Sequence, residues 1–461
     1  MVALLTTLGI VVFALGLLLS IAWHELGHLA TAKMFGIRCT QYMVGFGKTL
    51  WSRKWGDTEY GIKLVPLGGY VRMVGMIPPR KRVEATADAM EGDAVPAKPM
   101  SRWRAMIEDA REASYVEMEP GDENRQFYQR APWKRLIVMA AGPGMNLILA
   151  VVLFCIAMMG IGVQQPTNVV GAVQECVVAA DSAERDCAEG AEPTPAAQAG
   201  LLPGDRIVAI DGQETPTWQA VSSEIRDTIG PATITVERDG ERIDLSANLI
   251  ENRVVARDAN GDTILKLDEN GDPVLDAQGR AVPETVPAGF LGFEPTSERQ
   301  SLSLAQTATR MGDMAIGVGE AIITLPSKVP DVFQAAFLGA EREVDSPVGI
   351  VGASRIGGEI LAQPIPVMDR IAFMVNMLAS VNLFLFAFNM LPLLPLDGGH
   401  IFGALWEWVR RGWAKLFKRP DPGPFDVAQL MPFAYVVVVC FLCFSLMLLV
   451  ADIFNPVRLI Q

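Results

Sequence analysis

Four uncharged runs in this 461-residue sequence are each long enough to cross a lipid bilayer, which requires about 20 predominantly apolar residues. They are Met1–His24 (continuing as helix to about Ala32), Leu136–Val163, Ile371–Leu396 and Val427–Val450. The first run has no basic segment before it and no small-residue cleavage site after it, so we interpret it as a retained span. The shorter stretch 314–326 contains Glu320 and is interpreted as an amphipathic helix. The sequence therefore predicts a polytopic α-helical membrane protein with four transmembrane helices.

The distribution of basic residues predicts the orientation of these spans. Residues 33–135 contain 18 lysines and arginines, whereas residues 164–366 contain 14, amid a large excess of acidic residues. Because basic loops stay in the cytoplasm, we expect 33–135 and roughly 400–426 on the cytoplasmic side and the acidic block outside. Both termini then also lie outside, in a multi-pass protein of the cell membrane. The net charge of −13 makes nucleic acid an improbable partner.

The first span ends in the motif HELGH, which places ionisable side chains in an apolar segment. Ionisable groups at membrane depth are costly and are usually retained for function. His24 and His28 are four residues apart, so both imidazoles lie on one face of a helix, and Glu25 lies beside them as a potential base. A satisfied polar cluster is the structural alternative, but lipid offers no water to satisfy these groups. The motif therefore predicts a zinc site.

A catalytic zinc site needs a third protein ligand, and the segment FNMLPLLPLDGGH offers two candidates, Asp397 and His400. Asn389, Pro392 and Pro395 precede them and break the helix, which exposes backbone groups that only a buried or hydrated site tolerates. Taken alone, Asp397 could equally start the turn at the following glycines. The residues by themselves leave both candidates open.

The combination of HELGH in a first span with N-x-x-P-x-x-P-L-D-G in a later one resembles the site-2 protease family of intramembrane zinc metalloproteases. The single-PDZ, actinobacterial-type form of the bacterial regulator of sigma-E protease branch is the most similar. The resemblance covers most of the chain, including VGFG at 44–47 and YGIKLVPLGGYVRMVGM. It implies one Zn²⁺ per chain, held by His24, His28 and Asp397, with Glu25 as the catalytic base and His400 as a non-ligand.

The second span contains AGPGMNLILA, in which Gly142, Pro143 and Asn146 match a G-P-x-x-N pattern of that family. A simple kink for helix packing is the alternative interpretation. The resemblance favours a functional role, so we expect Asn146 and Asn389 to contact the substrate or the oxyanion.

Between the first two spans, alternating apolar and polar residues predict a β-hairpin at about 58–76, with its turn at Pro-Leu-Gly-Gly. Its family counterpart is a membrane-reentrant β-loop beside the active site. An edge strand there can hold an extended substrate through main-chain hydrogen bonds. The candidate substrate-binding residues are Gly68, Gly69, Tyr70, Val71 and Arg72. The charged insertion 80–131 is predicted to contain one helix near 101–113 and carries no assigned chemistry.

In the outer block, the motif G-L-x-x-G-D-x-I-x-x-I-D-G at Gly200 to Gly212, followed by a predicted helix and two strands, resembles a PDZ domain. In the family this domain restricts access to substrates that have already been trimmed. Asn-Gly-Asp then recurs within 258–278, where β-hairpins fit better than calcium loops because the EF-hand glycine is misplaced.

Cys176 and Cys187 are the two cysteines of the outer block, where oxidising conditions allow disulfides to persist. We expect them to form a disulfide that closes a short inserted loop. Two free, buried thiols are the alternative.

The predicted function is intramembrane proteolysis of single-span membrane proteins, such as anti-sigma factors or remnant signal peptides, after cleavage by an upstream site-1 type protease. The rival interpretations are a PDZ-bearing membrane scaffold or pseudoprotease, and a zinc transporter. The predicted segments are 1–32 (first transmembrane helix), 33–132 (cytoplasmic region), 133–163 (second transmembrane helix), 164–250 (PDZ domain), 251–299 (β-hairpin extension), 300–366 (amphipathic segment), 367–399 (third transmembrane helix), 400–426 (cytoplasmic loop) and 427–461 (fourth transmembrane helix and tail).

Overall fold

A computed structural model of the chain describes every residue except 1, 79–118 (apart from 103 and 107), 178–190 (apart from 187), 257–281 (apart from 263–267 and 274), 341, 343–345 and 458–461. The described helices are α1 (Val2–Met34), α2 (Pro132–Cys155), α3 (Pro195–Ala199), α4 (Trp218–Asp227), α5 (Leu304–Thr324), α6 (Val329–Phe337), α7 (Ile350–Ala362), α8 (Val367–Asn389), α9 (Asp397–Leu416) and α10 (Met431–Phe454). The described strands are β1 (Cys39–Trp55), β2 (Thr58–Met73), β3 (Val163–Val173), β4 (Arg206–Ile210), β5 (Gln213–Glu214), β6 (Gly230–Arg238), β7 (Glu241–Val255), β8 (Thr285–Phe290) and β9 (Phe293–Gln300). The chain divides into two compact units, residues 1–161 with 302–461, and residues 162–301.

Among its described residues, the first unit contains four helices that are long and apolar enough to cross a membrane. They are α1, α2 with the π-helical turn Ile156–Ile161 that follows it, α8, and α10 with the 3₁₀ turn that precedes it. This confirms the four predicted spans. The third span ends at Asn389, where the proline-containing segment begins, and α9 starts only at Asp397. Much of the region predicted as a cytoplasmic loop at 400–426 is therefore helical.

In the part of the first unit that the structure describes, β1 and β2 form a sheet by folding back on each other. Residues 41–44 pair with 69–72 on one side, in the antiparallel sense, and with 59–62 on the other side. Residues 51–55 pair with 58–62 across a tight turn at Gly56. The predicted turn at Pro-Leu-Gly-Gly is therefore wrong, because 66–69 connects two segments that both pair with β1. Alternation correctly indicated extended segments, but it could not indicate which strand would lie between them.

The segment predicted as amphipathic, 300–366, contains three helices, α5, α6 and α7. The N-terminus of α5 carries a complete capping box, in which the Ser303 hydroxyl accepts from the Gln306 backbone N–H and the Gln306 side chain bonds the Ser303 N–H in return. Arg342, between α6 and α7, forms a buried ion pair with Asp452 near the end of α10, at 2.8 Å. This contact ties the segment to the last span.

The described strands of the second unit form a sheet with the order β8-β7-β6-β4-β3-β9. The short strand β5 pairs with β4 outside this order. Its apolar core includes Ile207, Ile210, Val221, Ile234 and Val236, all almost completely buried. The helix α4 and the strands β6 and β7 follow the G-L-x-x-G-D motif in the predicted order. This unit therefore has a core of its own.

Cys176 and Cys187 are joined by a disulfide in this second unit. Further along, backbone bonds link Ile264 with Ala256 and Glu284, and Lys266 with Val274 and Val282, in a short ladder of extended segments. Most of 258–278, and with it the choice between hairpins and calcium loops, lies outside the described residues. Most of the predicted helix near 101–113 does so as well.

Candidate metal and catalytic site

Three side chains predicted as metal ligands converge on one point of the first unit. His24 Nε2 lies 3.1 Å from Asp397 Oδ2 and 3.2 Å from His28 Nε2, and His28 Nε2 lies 3.3 Å from the same carboxylate oxygen. Two of the three come from α1, where the i, i+4 spacing places both imidazoles on one face of the helix with their rings edge to face, and the third is the first residue of α9. These three form a cluster of metal-ligating groups among the described residues.

Helix α2 fixes the orientation of the His28 imidazole. Its Nδ1 donates to the Val138 carbonyl at 2.8 Å, so in the neutral imidazole Nε2 is the free ligating nitrogen, and it is directed at the cluster. Gly142 makes this approach possible, because a Cβ atom at that position would lie 2.1 Å from His28 Nε2. The helix continues through Pro143, so the Gly-Pro-Gly motif provides close packing against a histidine rather than a break in the helix.

Asn146 supports the other histidine. Its amide nitrogen lies 3.2 Å from His24 Nδ1, while its Oδ1 is buried without a partner in the described structure. A histidine that binds a metal through Nε2 carries its proton on Nδ1, and a 180° turn of the amide gives that proton an acceptor and satisfies Oδ1. Asn146 is only 1% exposed. These contacts favour a role in orienting His24 over the predicted contact with substrate.

The catalytic-base candidate Glu25 faces β2. The backbone N–H of Val71 faces its carboxylate, and a Cβ atom on Gly69 would lie 3.0 Å from its Cγ. Two of the five predicted substrate-binding residues thus lie against the motif. The Tyr70 hydroxyl donates to Gln41 at 3.2 Å and its ring stacks on Phe46, while Gly68 lies against the same Phe46 ring.

Strand β1 is attached to α1 directly beside the motif. The Tyr42 hydroxyl donates to the Ala22 carbonyl at 2.7 Å, and burial raises the pKa of this phenol to about 12. Burial also raises the pKa of the Cys39 thiol to about 11, so this cysteine is a core residue rather than a nucleophile. Both groups stay neutral at physiological pH and hold the sheet against the helix.

The remaining candidates follow the third span. Asn389 donates its amide to the Leu385 carbonyl at 2.9 Å within its own helix, and the described contacts do not join it to the cluster. His400, one turn after Asp397, has a buried Nδ1 without a hydrogen-bond partner among the described residues, and no hydrogen bond described there joins it to His24 or His28. The geometry thus brings together His24, His28 and Asp397 but leaves His400 outside the three-atom cluster.

Comparison of the sequence with known proteins identifies the family of this chain. The sequence profile described as Peptidase family M50 matches residues 12–419. The chain belongs to peptidase family M50. It is 33% identical to the zinc metalloprotease Rip1 of Mycobacterium tuberculosis (strain ATCC 25618 / H37Rv) over 459 residues, covering 98% of this chain and 99% of the relative. It is 32% identical to Rip1 of Mycolicibacterium smegmatis, with the same coverage, and 26% identical to metalloprotease MmpA of Caulobacter vibrioides, covering 93% and 91%.

The donor set of this M50 peptidase fits a zinc ion. Two imidazole nitrogens and one carboxylate oxygen form the three-ligand set that catalytic zinc uses, with a fourth position open for water or substrate. The Val138 carbonyl and the Asn146 amide would fix both histidines in the ligating tautomer. With its four apolar helices, this M50 peptidase is a multi-pass membrane protein.

An ion pair that supports the site was missed by the sequence reasoning. Glu407 of α9 is fully buried and pairs with Arg135 of α2, and it also contacts Arg411 at 3.0 Å and accepts from the Phe425 backbone N–H at 2.7 Å. These contacts join the helix that begins with Asp397 to the helix that supports His28. A charged residue at the start of a predicted span, Arg135, was the available signal, but its partner could not be read from the sequence.

Proposed function

We propose that this M50 peptidase is an intramembrane zinc endopeptidase of the site-2 protease type, in which His24, His28 and Asp397 hold one Zn²⁺. The observation that carries the proposal is the convergence of two Nε2 atoms and one Oδ2 atom within 3.3 Å, at the end of a membrane-spanning helix. Ionisable groups at that depth need such partners or an ion. The names of the relatives, which include zinc metalloproteases, support the choice of metal.

Each residue then has a defined task in peptide hydrolysis. A bound zinc ion supplies Lewis acidity, which polarises a carbonyl and makes a bound water acidic. Glu25 accepts the proton of the attacking water on a carboxylate oxygen and later delivers it to the leaving amide nitrogen. His28 and His24 keep their Nδ1 protons, through Val138 and Asn146, so that both Nε2 atoms stay available as ligands.

We infer that the outer edge of segment 69–72 binds the substrate as an added strand. Its other edge is occupied by residues 41–44, and the Val71 N–H already faces Glu25. Peptide hydrolysis needs an extended backbone, and an exposed strand edge supplies it through main-chain hydrogen bonds. Tyr70, Arg72 and the carboxamide oxygen of Asn389 are the proposed substrate contacts. Proline substitution along 70–74 should lower cleavage with zinc content intact, and full activity at every position would refute the assignment.

The proposed substrates are single-span membrane proteins such as anti-sigma factors, or remnant signal peptides, cut in the bilayer after an upstream site-1 type protease. The second unit is proposed to be an extracytoplasmic PDZ domain that restricts untrimmed substrates. Its support is the G-L-x-x-G-D motif, followed by β4, α4, β6 and β7 around a separate core. Replacing residues 162–301 by a flexible linker should increase cleavage of an untrimmed substrate, and an unchanged rate would remove the gating role.

The decisive experiment combines cleavage and metal content for purified full-length variants in proteoliposomes. Glu25→Gln should abolish cleavage and retain about one zinc per chain, because the base is lost but the ligands remain. Asp397→Ala should lose zinc and His400→Ala should keep it; the reverse pattern would show that the third ligand is wrong. If the wild-type protein transports zinc into the proteoliposomes and cleaves no substrate, it is a transporter. If the wild-type protein neither cleaves substrate nor binds zinc, it is a scaffold.

A further inference from the structure

The segment that contains α9 is held at the membrane surface by its connections. It follows the third span, which ends at Asn389, and precedes the fourth, which begins at Val427. The chain therefore leaves the bilayer and re-enters it at the same face. The helix is amphipathic: Gly403, Ala404 and Glu407 are buried, while three tryptophans on it are exposed. Helices of this kind, with indoles and basic residues, lie in the membrane interface.

The tryptophans are the first independent observation. Trp406, Trp408 and Trp413 are 48%, 56% and 59% exposed. Exposed indoles are unfavourable on a surface that faces only water, whereas the headgroup region of a bilayer accommodates their apolar rings and polar N–H groups. Trp406 and Trp413 are seven residues apart and share one face of α9, which is therefore suited to lipid contact, whereas Trp408 lies on another side of the helix.

The charge of the segment is the second observation. Arg410, Arg411, Lys415, Lys418 and Arg419 lie within ten residues. Arg411 is engaged by Glu407 and lies 3.6 Å from Asp421. Among the residues that the structure describes, no carboxylate forms an ion pair with the other four cations. The surface around the tryptophans thus carries positive charge that the protein itself does not neutralise.

The two features meet at a cavity of about 510 Å³ between α9 and the segment that follows it. Its lining includes Trp406, Arg410, Trp413, Arg419, Pro420 and Pro422. Arg410 is held there by a 3.5 Å contact to the Pro422 carbonyl, and the backbone N–H of Arg419 donates to the Ala414 carbonyl at 2.8 Å. Two guanidinium groups and two indoles at one concavity provide the planar donors that bind phosphate and the apolar walls that accept a lipid backbone.

We propose that this cavity binds the phosphodiester headgroup of an anionic glycerophospholipid from the leaflet on which α9 lies. Arg410 and Arg419 bind the phosphate, and Trp406 and Trp413 pack on the glycerol and the first acyl carbons. The bilayer is the source because both chain connections keep the cavity at its surface and because the indoles remain exposed beside it. This lipid site is separate from the metal cluster and does not depend on the proteolytic function.

Native mass spectrometry of the full-length protein in detergent tests the proposal, with phosphatidylglycerol and phosphatidylcholine as probes. Wild type should bind one phosphatidylglycerol at least about tenfold more tightly than phosphatidylcholine. Arg410→Gln/Arg419→Gln should lower that affinity at least about tenfold, because direct charge-assisted hydrogen bonds to the phosphate are lost. Lys415→Gln/Lys418→Gln removes the same charge outside the cavity lining and should lower it about threefold or less, because salt screens exposed charges that do not touch the lipid. Unchanged zinc content verifies that each variant is folded.

Three results would overturn the proposal. The first is equal affinity of the wild-type protein for phosphatidylglycerol and phosphatidylcholine, which needs no variant to interpret. Equal losses in the two double variants would show diffuse charge attraction rather than a site. Displacement of the lipid by millimolar glycerol 3-phosphate would show a site for a soluble phosphoester instead of a membrane lipid.

Discussion

Gly142→Ala should inactivate the enzyme by displacing a metal ligand. The added Cβ atom would lie 2.1 Å from His28 Nε2 and 2.6–2.7 Å from two ring carbons. An ordinary contact begins at 3.4 Å, so the imidazole or the α2 backbone must retreat by about 1.3 Å. The α2 backbone around Pro143 is held by the helix, so the ring is the part that moves, and its hydrogen bond to the Val138 carbonyl is strained as it does so.

The size of the effect follows from that displacement. Disturbing the partners that orient a ligand typically lowers metal affinity 10- to 100-fold, and a misplacement of about 1 Å at a catalytic centre can lower the rate about 100-fold. The helix itself should not be weakened, since alanine is favoured over glycine in a helix interior by about 1 kcal/mol. The loss should therefore appear in zinc content and cleavage rate, with thermal stability of the spans maintained.

Gly144→Ala is the matched control. It makes the same substitution in the same motif, two residues further along the same helix, where the added Cβ atom has no neighbour within 4 Å. Zinc content by elemental analysis and cleavage of a single-span substrate in proteoliposomes should both fall for Gly142→Ala and stay at the wild-type level for Gly144→Ala. Full zinc and full activity in Gly142→Ala would refute the packing argument.

Two predictions concern the second unit, tested on isolated residues 162–301. Arg238 holds the pKa of Asp205 below its usual range, so the stability from this pair is present above the unfolded-state pKa of about 4 and is lost as pH falls through the lower folded-state value. Asp205→Asn should lower the melting temperature at pH 7 and make it depend less on acid pH. The control Glu214→Gln, at an exposed position, should do neither. If the melting temperature of Asp205→Asn falls with pH in parallel with that of the wild type, the prediction is wrong. Replacing Cys176 and Cys187 by serine should cost about 3 kcal/mol of unfolding free energy in urea, and alkylation of the unreduced wild type at both cysteines would show that no bridge exists.

The sequence predicted the parts of the site that depend on local periodicity. The position of His24 and His28 on one face of α1 follows from helical spacing alone, and the four spans follow from runs without charge. Asp397 required the resemblance, because a turn-forming aspartate and a ligand have the same local sequence. Its position at the start of α9 rather than inside the third span follows from the prolines before it.

The errors arose where partners come from distant parts of the chain. The Pro-Leu-Gly-Gly stretch has the composition of a hairpin turn, yet residues 41–44 lie between the two segments that it connects. The contact between Asn146 and His24 was likewise not predicted, because it depends on the position of α2 beside α1; the predicted contact of Asn146 with substrate stays a prediction. The Arg135–Glu407 pair likewise joins residues that no sequence pattern relates.

The separation of 373 residues between His24 and Asp397 has a consequence for biosynthesis. Ribosomes deliver the chain from its N-terminus, so the two histidines enter the membrane while most of the protein is still untranslated. The three-residue cluster cannot form until α8 has been inserted and α9 has begun to fold behind it. A nascent chain therefore holds an incomplete centre throughout its synthesis, and proteolytic capacity arises only when nearly the whole polypeptide has been delivered to the bilayer.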